Sequence, residues 1–413
     1  MLLLTTKNMS TSVMTLPEQI HPPINRSRLV WAMGFTQILA WGSTYYLPAV
    51  LASPIAKETG WSITNVVGGL SWGLLVAGAS SPAVGRQIDR HGGRSVLAAS
   101  SLLLALGMLL MGLAGNIATY YVAWTLIGVA MAAGLYDAAF STLGRLFGEG
   151  ARTSITGLTL LGGFASTIGW PVIAGLESWI GWRNACFVLA AAHLLIGLPI
   201  HSLLIPGSTK QPPHPVRTEL TSASALHPKT TNYLFLLIGT MLTVLALVVS
   251  GISVHLLNVL NQLGIATVVA LAIGMVIGPS QVVARVAEFS IGRNLHPTWS
   301  ARVGVFLCLV GLGLLISGMP WMAFVAIALY GAGNGILTIA RGTLPLALFG
   351  PQGYGARMGL LARPVLVAQA CGPIAAAFVL QNFGASALLV VMCGLVLLCF
   401  IASWRLPTTR LTE

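Results

Sequence analysis

Runs of roughly 20 apolar residues recur along this chain, and that is the length an α-helix needs to cross a hydrocarbon layer of about 30 Å. Twelve such runs can be placed, at 28–50, 65–84, 95–115, 118–142, 154–176, 184–204, 232–253, 262–283, 300–318, 321–343, 357–380 and 385–404. Together they occupy nearly the whole of the 413 residues, leaving no room for a large soluble domain. Charged residues make up only 7% of the chain, against roughly a quarter in soluble domains. Mean hydropathy is +0.86. A water-soluble fold could not hide so much apolar surface, whereas a bilayer accepts it on the outside of the protein. Runs this long cross as helices, because every backbone polar group must be satisfied within the segment. The expected fold is therefore all-α, with about twelve transmembrane helices.

The net charge of +12 does not mark a nucleic-acid binder, because the basic residues are spread thinly between apolar runs. With the N-terminus placed in the cytoplasm, only Lys57 and Arg183 of the 21 Lys and Arg residues fall in outside segments. That asymmetry is the positive-inside pattern, and it puts both termini inside. The expected location is a bacterial inner (plasma) membrane. The first run, from about Leu29, is too long for a signal-peptide core and has no small-residue cleavage pattern after it, so it reads as a retained helix. Cys186, Cys308, Cys371, Cys393 and Cys399 all lie in apolar stretches without metal-ligand spacing. They are expected to pack, and no metal or cofactor is expected.

One internal stretch differs from its surroundings. Residues 205–231 are rich in Pro, Ser and Thr and divide six runs from six, as a linker would. The expected organisation is a cytoplasmic tail (1–27), a six-helix bundle (28–204), this linker, a second six-helix bundle (232–404) and a short cytoplasmic tail (405–413). The two bundles repeat. GRQIDRHGGR (85–94) follows the second run and ARVAEFSIGR (284–293) follows the eighth, matching Arg86 with Arg285, Asp89 with Glu288 and Arg94 with Arg293. GVAMAAGLYDAAFSTLGRLFG of the fourth run is similar to GAGNGILTIARGTLPLALFG of the tenth, and TYYLPAVL of the first to SVHLLNVL of the seventh. A parallel six-plus-six repeat of this kind characterises one large class of secondary transporters.

The loop after the second run carries Gly85, Asp89, Arg90, Gly92 and Arg94 at the spacing G-x-x-x-D-R-x-G-x-R. With the length, linker and repeat, this resembles the major facilitator superfamily. Gly93 stands where a further basic residue is usual. The stretch GWSITNVVGGLSWGLLVAGASSPAVGRQIDR is more loosely similar to the branch of monocarboxylate and oxalate carriers. The resemblance implies two pseudo-symmetric bundles around a central cavity lined by helices 1, 4, 7 and 10. It also implies that the charged loop latches the bundles together on the cytoplasmic side, with Arg285, Glu288 and Arg293 as the second-half counterparts. From chemistry alone, Asp89 could pair with Arg90 or Arg94, or cap a helix N-terminus.

Ionisable residues inside the runs are few, and such residues are costly in a membrane unless paired or functional. Asp137 is the only carboxylate well within a run. It can carry a coupling proton, bind a substrate donor or pair with an arginine. Arg341, late in the tenth run and two positions from the repeat equivalent of Asp137, can pair with it, hold an anionic substrate group or snorkel to the surface. Asn334, Thr338 and Arg341 share one stripe at i, i+4 and i+7. Tyr136 neighbours Asp137. On the first run Gln37, Trp41 and Tyr45 form a stripe that could stack and orient a flat organic molecule. An interfacial aromatic belt would account for Tyr45 and Tyr46 equally well, though less so for Gln37 and Trp41. His255, at the outer end of the seventh run, could accept an external proton or simply be solvated. Gly169, Trp170, Pro171 and Gly175 parallel Gly372 and Pro373, with Trp170 interrupting a Gly-Pro pair, and no exchange activity follows from that motif.

No G-x-x-x-x-G-K-[ST] loop, H-E-x-x-H or G-x-S-x-G occurs, so neither ATP-driven pumping nor hydrolytic chemistry is expected. The sequence predicts a monomeric secondary carrier, embedded in the bilayer and coupled to the proton gradient. Its expected cargo is a small polar or partly aromatic molecule, vitamin-like or a carboxylate. The alternatives at this point are efflux of a drug or arsenical and, from another class, a membrane-embedded enzyme or sensor.

Overall fold

The computed structural model describes residues 25–207, 228–292 and 295–408. Most of the expected N-terminal tail and linker, Arg293, and the last five residues lie outside that range. Eight helical stretches are long and apolar enough to cross a bilayer. Two of them cannot cross only once. At 1.5 Å per residue, the 88-residue stretch Ile117–Leu204 would reach about 130 Å if straight, and the 50-residue stretch Tyr354–Ser403 about 75 Å. Both reverse direction at glycines. Gly148 (φ 54°) and Gly181 (φ 76°, ψ 161°) break the first, and Gly384 (φ 80°, ψ 176°) breaks the second. Side chains with a Cβ rarely adopt such angles. The first stretch then makes three passes and the second makes two. With α1 and α2 forming one broken pass, the described residues make twelve. Gly181 and Gly384 occupy the same place in the two halves, at the turn between the fifth and sixth passes of each.

The passes are α1 (Arg26–Ser43) with α2 (Pro48–Thr59), α3 (Ile63–His91), α4 (Gly93–Gly112), α5 (Ile117–Gly134) with α6 (Tyr136–Phe147), and α7 (Ala151–Gly162) with the first part of α8 (Ala165–Ala192). The rest of α8 runs on into π-helical turns at His193–Gly197 and Ile200–Leu204. The second half holds α9 (Pro228–Gln262), α10 (Thr267–Met275) with α11 (Ile277–Ser290), α12 (Pro297–Leu315), α13 (Pro320–Phe349) and α14 (Tyr354–Ser403). Where the sequence predicted unbroken spans, four passes are interrupted midway: at Thr44–Leu47, Leu135, Gly163–Phe164 and Val276. Hydropathy is blind to these breaks because the residues at them are themselves largely apolar or aromatic.

Apolar side chains point two ways. Leu102, Leu106 and Leu109 run down one exposed face of α4, continued by Leu113 at its C-cap, and Val390, Leu397, Leu398 and Ile401 do the same on α14. Exposed stripes of this size suit lipid contact rather than water. Inside, two large cores divide along the chain. One gathers Met108, Tyr120, Trp124 and Trp182 of the first half, and the other Ile252, Val259, Leu312 and Met392 of the second. The seam between them is made chiefly by α14, whose Ala362, Leu366 and Ala370 pack into the first half's core against α3.

Candidate functional site

The four interrupted passes converge on the space between the halves. Broken helices place free backbone groups and side chains at mid-membrane depth, the arrangement from which transporter binding sites are commonly built. The cavity there has a volume of about 190 Å³, below the roughly 300–1,000 Å³ of drug-sized pockets. Trp41, Tyr45, Tyr46 and Tyr136 wall it from the first half. Leu242, Leu245, Ala246 and Val249 of α9 form an aliphatic wall opposite, and Gln281, Arg285, Asn334, Thr338, Arg341 and Gln369 supply polar groups.

The aromatic wall is one continuous cluster. Trp41 lies 5.0 Å from Tyr136 and 5.5 Å from Tyr45 between ring centroids, and Tyr46 bridges Tyr45 to Trp170. Tyr45 and Tyr46 therefore line the cavity and do not belong to an interfacial belt, because the chain unwinds at Thr44–Leu47 and turns both rings inward. Gln37 does not line the cavity. It is buried and donates from Nε2 to the Gly134 carbonyl (2.6 Å), which the break at Leu135 leaves exposed, while its Oε1 accepts from Trp41 Nε1 (3.1 Å). Its place is to fix Trp41 and brace the break in the fourth pass.

That break sets Asp137 in the first turn of α6, where a helix N-terminus favours negative charge. Asp137 Oδ2 accepts from Arg341 Nη2 of α13 at 2.6 Å. Of the three outcomes open to Arg341 from sequence, direct pairing is the one observed. Both side chains are largely withdrawn from solvent, so the pair counts as a buried ion pair and not a surface one.

Arg285 requires a correction. The repeat aligned it with Arg86 of the charged loop, but α11 carries it into the cavity, with only 4% of its surface exposed. Its guanidinium donates to the Thr159 and Gly335 carbonyls, Gln281 Oε1 and Thr338 Oγ1. Among the described residues these partners are all neutral oxygens, so its positive charge is not cancelled as that of Arg341 is. A Cβ at Gly163 would collide with Arg285 Nη1. The break in the fifth pass and this arginine are therefore one feature. Sequence alignment missed it because Arg285 stands one helical turn before Glu288 on the same helix, close enough to read as part of the loop.

His255 also departs from expectation. It lies within α9, and its Nε2 donates to the Pro373 carbonyl of α14 at 2.9 Å. That carbonyl belongs to the proline-containing part of α14, so His255 braces two helices of the second half and does not face the cavity.

At one end of the molecule the halves are joined by polar contacts. Both carboxylate oxygens of Asp89 accept from the N-terminal N–H groups of α14, Gly355 (2.9 Å) and Ala356 (2.7 Å). Asp89 thus caps a helix of the opposite half, while Arg90 and Arg94 point outward and exposed. Gly85 permits this approach, since a Cβ there would strike the Gly355 carbonyl. Gly92, at φ 84°, ends α3. Gly93 packs on Thr142 so closely that no side chain fits, which accounts for the missing basic residue. Arg145 donates to the Asp89 carbonyl. The second half mirrors this. Glu288 Oε1 accepts from Arg152 of α7 (3.1 Å) and from Ser300 (2.6 Å), and Arg152 also donates to the Gly292 and Leu295 carbonyls.

Residues 33–295 match the Major Facilitator Superfamily. The chain belongs to the major facilitator superfamily. Two solved structures share this superfamily fold over nearly the whole chain. The human organic anion transporter MFSD10 (TETRAN) superposes with a TM-score of 0.71 at 16% identity, covering 93% of this chain and 100% of that one. The proton:xylose symporter XylE bound to 6-bromo-6-deoxy-D-glucose gives a TM-score of 0.70 at 14% identity, covering 94% and 98%. A curated relative, an uncharacterized 38 kDa protein in the 23S RNA operon of Thermoproteus tenax, is 32% identical over 176 residues, which is 42% of this chain and 45% of that protein. The chain thus spans less than half the length of that relative. As a superfamily member it is an integral, multi-pass membrane transporter and not an enzyme.

Proposed function

We propose that this transporter carries a small organic anion, a carboxylate on a flat or apolar body, by alternating access coupled to protons. The observation that supports this most is the uncancelled charge of Arg285 in the cavity. Arg341 is neutralised by Asp137, so the cavity keeps one net positive charge, and an anion would supply the missing partner. A guanidinium held by neutral carbonyls still has the planar fork that suits a carboxylate. The wall of Trp41, Tyr45, Tyr46 and Tyr136 suits a flat ring, as in a vitamin-like acid, and the α9 aliphatics suit an apolar body. The Asp137–Arg341 pair is the element we assign to proton coupling. Protonating Asp137 would release Arg341 into the cavity, linking proton binding to anion binding. The solved neighbours include an organic anion transporter and a proton symporter; at under 20% identity they support the fold, and the anion reading rests on Arg285. The two bundles joined by the linker, the latch role of Asp89 and an inner-membrane location with both termini inside complete the proposal.

The test is binding of a panel of carboxylates and neutral isosteres to purified protein, followed by flux in proteoliposomes. Carboxylates should bind the wild type and lose on the order of a hundredfold in affinity with Arg285→Gln, as expected when a buried charged hydrogen-bond partner is removed. Neutral or cationic ligands that bind unaffected by Arg285→Gln would defeat the anion reading.

A further inference from the structure

A second, smaller cavity lies beside the first. It measures about 10 Å³, room for one water or one methyl group. Leu242 and Leu245 of α9 and Leu337 of α13 line both spaces. The other walls of the small one include Met241 of α9, Ala340 of α13 and Ala301 of α12, a helix that supplies no lining to the main cavity among the described residues. The small cavity is therefore a branch that leaves the main one past Leu337 and ends against α12. Every side chain around it is aliphatic or a thioether. Such a space has no group to hold a water and stays dry. Its walls also lack contact partners on one side, and an apolar group entering it would supply them.

The partition is a single layer of side chains. Leu337 rests on α12 at Gly304, where a Cβ would fall 2.9 Å from its Cγ, so the absence of a side chain there is what seats it on the boundary. Met241 is unbranched and adapts its shape readily. Beyond Leu337 the branch is closed by Ala340 and Ala301, both small and buried. The charged end of the main cavity lies close to the same partition. Arg285 donates to the Gly335 carbonyl and to Thr338 Oγ1, so its guanidinium meets α13 within one turn of Leu337.

We propose that this branch is a tail subsite of the transport site: it receives the end of a straight aliphatic chain whose carboxylate is held at Arg285, and it sets the chain length the protein accepts. The proposal rests on the anion reading given above and narrows it, from an apolar body in general to one that ends in an unbranched alkyl tail. Leu337 changes rotamer to join the two spaces, and Ala340 and Ala301 fix where the tail must stop. A hydroxyl or second carboxylate at the far end would be buried against hydrocarbon without a partner, which is costly. Dicarboxylates and ω-hydroxy acids of the same length are therefore rejected. A branched or cyclic end exceeds a space of one methyl group.

The test is calorimetric binding of straight-chain monocarboxylates, propanoate through octanoate, to the full chain in nanodiscs, with empty nanodiscs as the baseline for partition into lipid. Affinity should rise about fourfold per added methylene, the effect of burying one such group, until the branch is filled, and then fall. Ala340→Val narrows the branch and should move the optimum to a shorter acid. It should also lower the affinity of the wild-type optimum relative to propanoate on the order of fourfold or more. Ala301→Val serves in the same way if Ala340→Val does not fold. Leu337→Ala widens the entrance and should move the optimum to a longer acid, and loss of fold cannot shift the optimum in two opposite directions. Binding without a length optimum, or an optimum that none of these variants moves, would overturn the tail subsite. Primary alcohols with the same tails separate this from the anion reading. If alcohols bind as tightly as acids and their optimum shifts with the variants, the tail subsite stands and the anion reading fails. If Arg285→Gln weakens every acid alike and no length optimum exists, the anion reading stands and the tail subsite fails.

Discussion

Asp137 and Arg341 are 204 positions apart in sequence and 2.6 Å apart in space. They sit on repeat-related passes of the two halves, buried between them, and each is what makes the other tolerable there. An unpaired charge in this setting is far more costly than a paired one. The pair also crosses the boundary that must open and close during transport. It is therefore placed to report on one half what happens in the other.

Asp137→Asn retains the shape of the side chain and removes its ability to change charge. Accumulation against a concentration gradient driven by an imposed pH step should be lost, while exchange of substrate across the membrane continues. Both are measured in the same proteoliposomes. Loss of exchange together with accumulation would assign Asp137 to substrate binding or to structure instead.

Arg341→Ala should destabilise the protein by about 3 kcal/mol, the low end of the range for breaking a buried ion pair, because both side chains keep some exposure. The double variant Asp137→Asn with Arg341→Gln should recover much of that loss, since no buried charge remains unpaired. Thermal unfolding in detergent reads both. Arg341→Lys should also reduce transport, because an ammonium cannot reproduce the planar guanidinium fork. Full transport by Arg341→Ala would mean that the pair is dispensable.

Gly85→Ala should prevent α3 from closing on α14, because the new methyl group meets the Gly355 carbonyl, a backbone atom that cannot swing aside. Asp89→Asn should act in the same direction more mildly, shifting the conformational balance on the order of tenfold by weakening the charge-assisted cap. Distance measurements between spin labels on the Asp89 face would show that face opened in both variants. Substrate binding should persist and turnover should fall. A closed distance distribution in Gly85→Ala would contradict the contact described here.

Gly163→Ala places a methyl group against Arg285 Nη1, the end of a flexible side chain rather than backbone. The fold should survive, with a Tm change of a few degrees at most for a change of about 1 kcal/mol. Substrate KM should rise on the order of tenfold as the guanidinium is displaced, with less effect on the maximal rate. An unchanged KM for the carboxylate substrate would show that Arg285 does not contact it.

Much of the fold was legible in the sequence because a bilayer leaves few choices. A pass must be long, apolar and helical, so hydropathy found all twelve, and the lopsided basic residues suggested an orientation. The repeat loops pointed to Asp89 and Glu288, which occupy mirrored places between the halves. The same alignment misplaced Arg285. A repeat match carries position along a helix but not which way the helix faces, and one turn separates the loop from the cavity. Gln37 was drawn to the site by its place on a helical stripe and His255 by its chemistry, whereas their partners, the carbonyls of Gly134 and Pro373, are backbone groups with no signature in sequence.

What the sequence determined by itself is the class of the molecule: an all-helical membrane protein of two repeated halves, with Asp137 and Arg341 as its conspicuous buried charges. These follow from local quantities, namely the length of apolar runs, the count of charges and the spacing of a motif. Only the tertiary structure decided which charge is cancelled and which is not. Pairing Asp137 with Arg341 left Arg285 as the cavity's net charge, and that depends on how two halves more than a hundred residues apart meet. It also decided where the helices break. A break is stable only when distant groups take up the freed backbone atoms or fill the space beside it, as Gln37 does for Gly134 and Arg285 does beside Gly163.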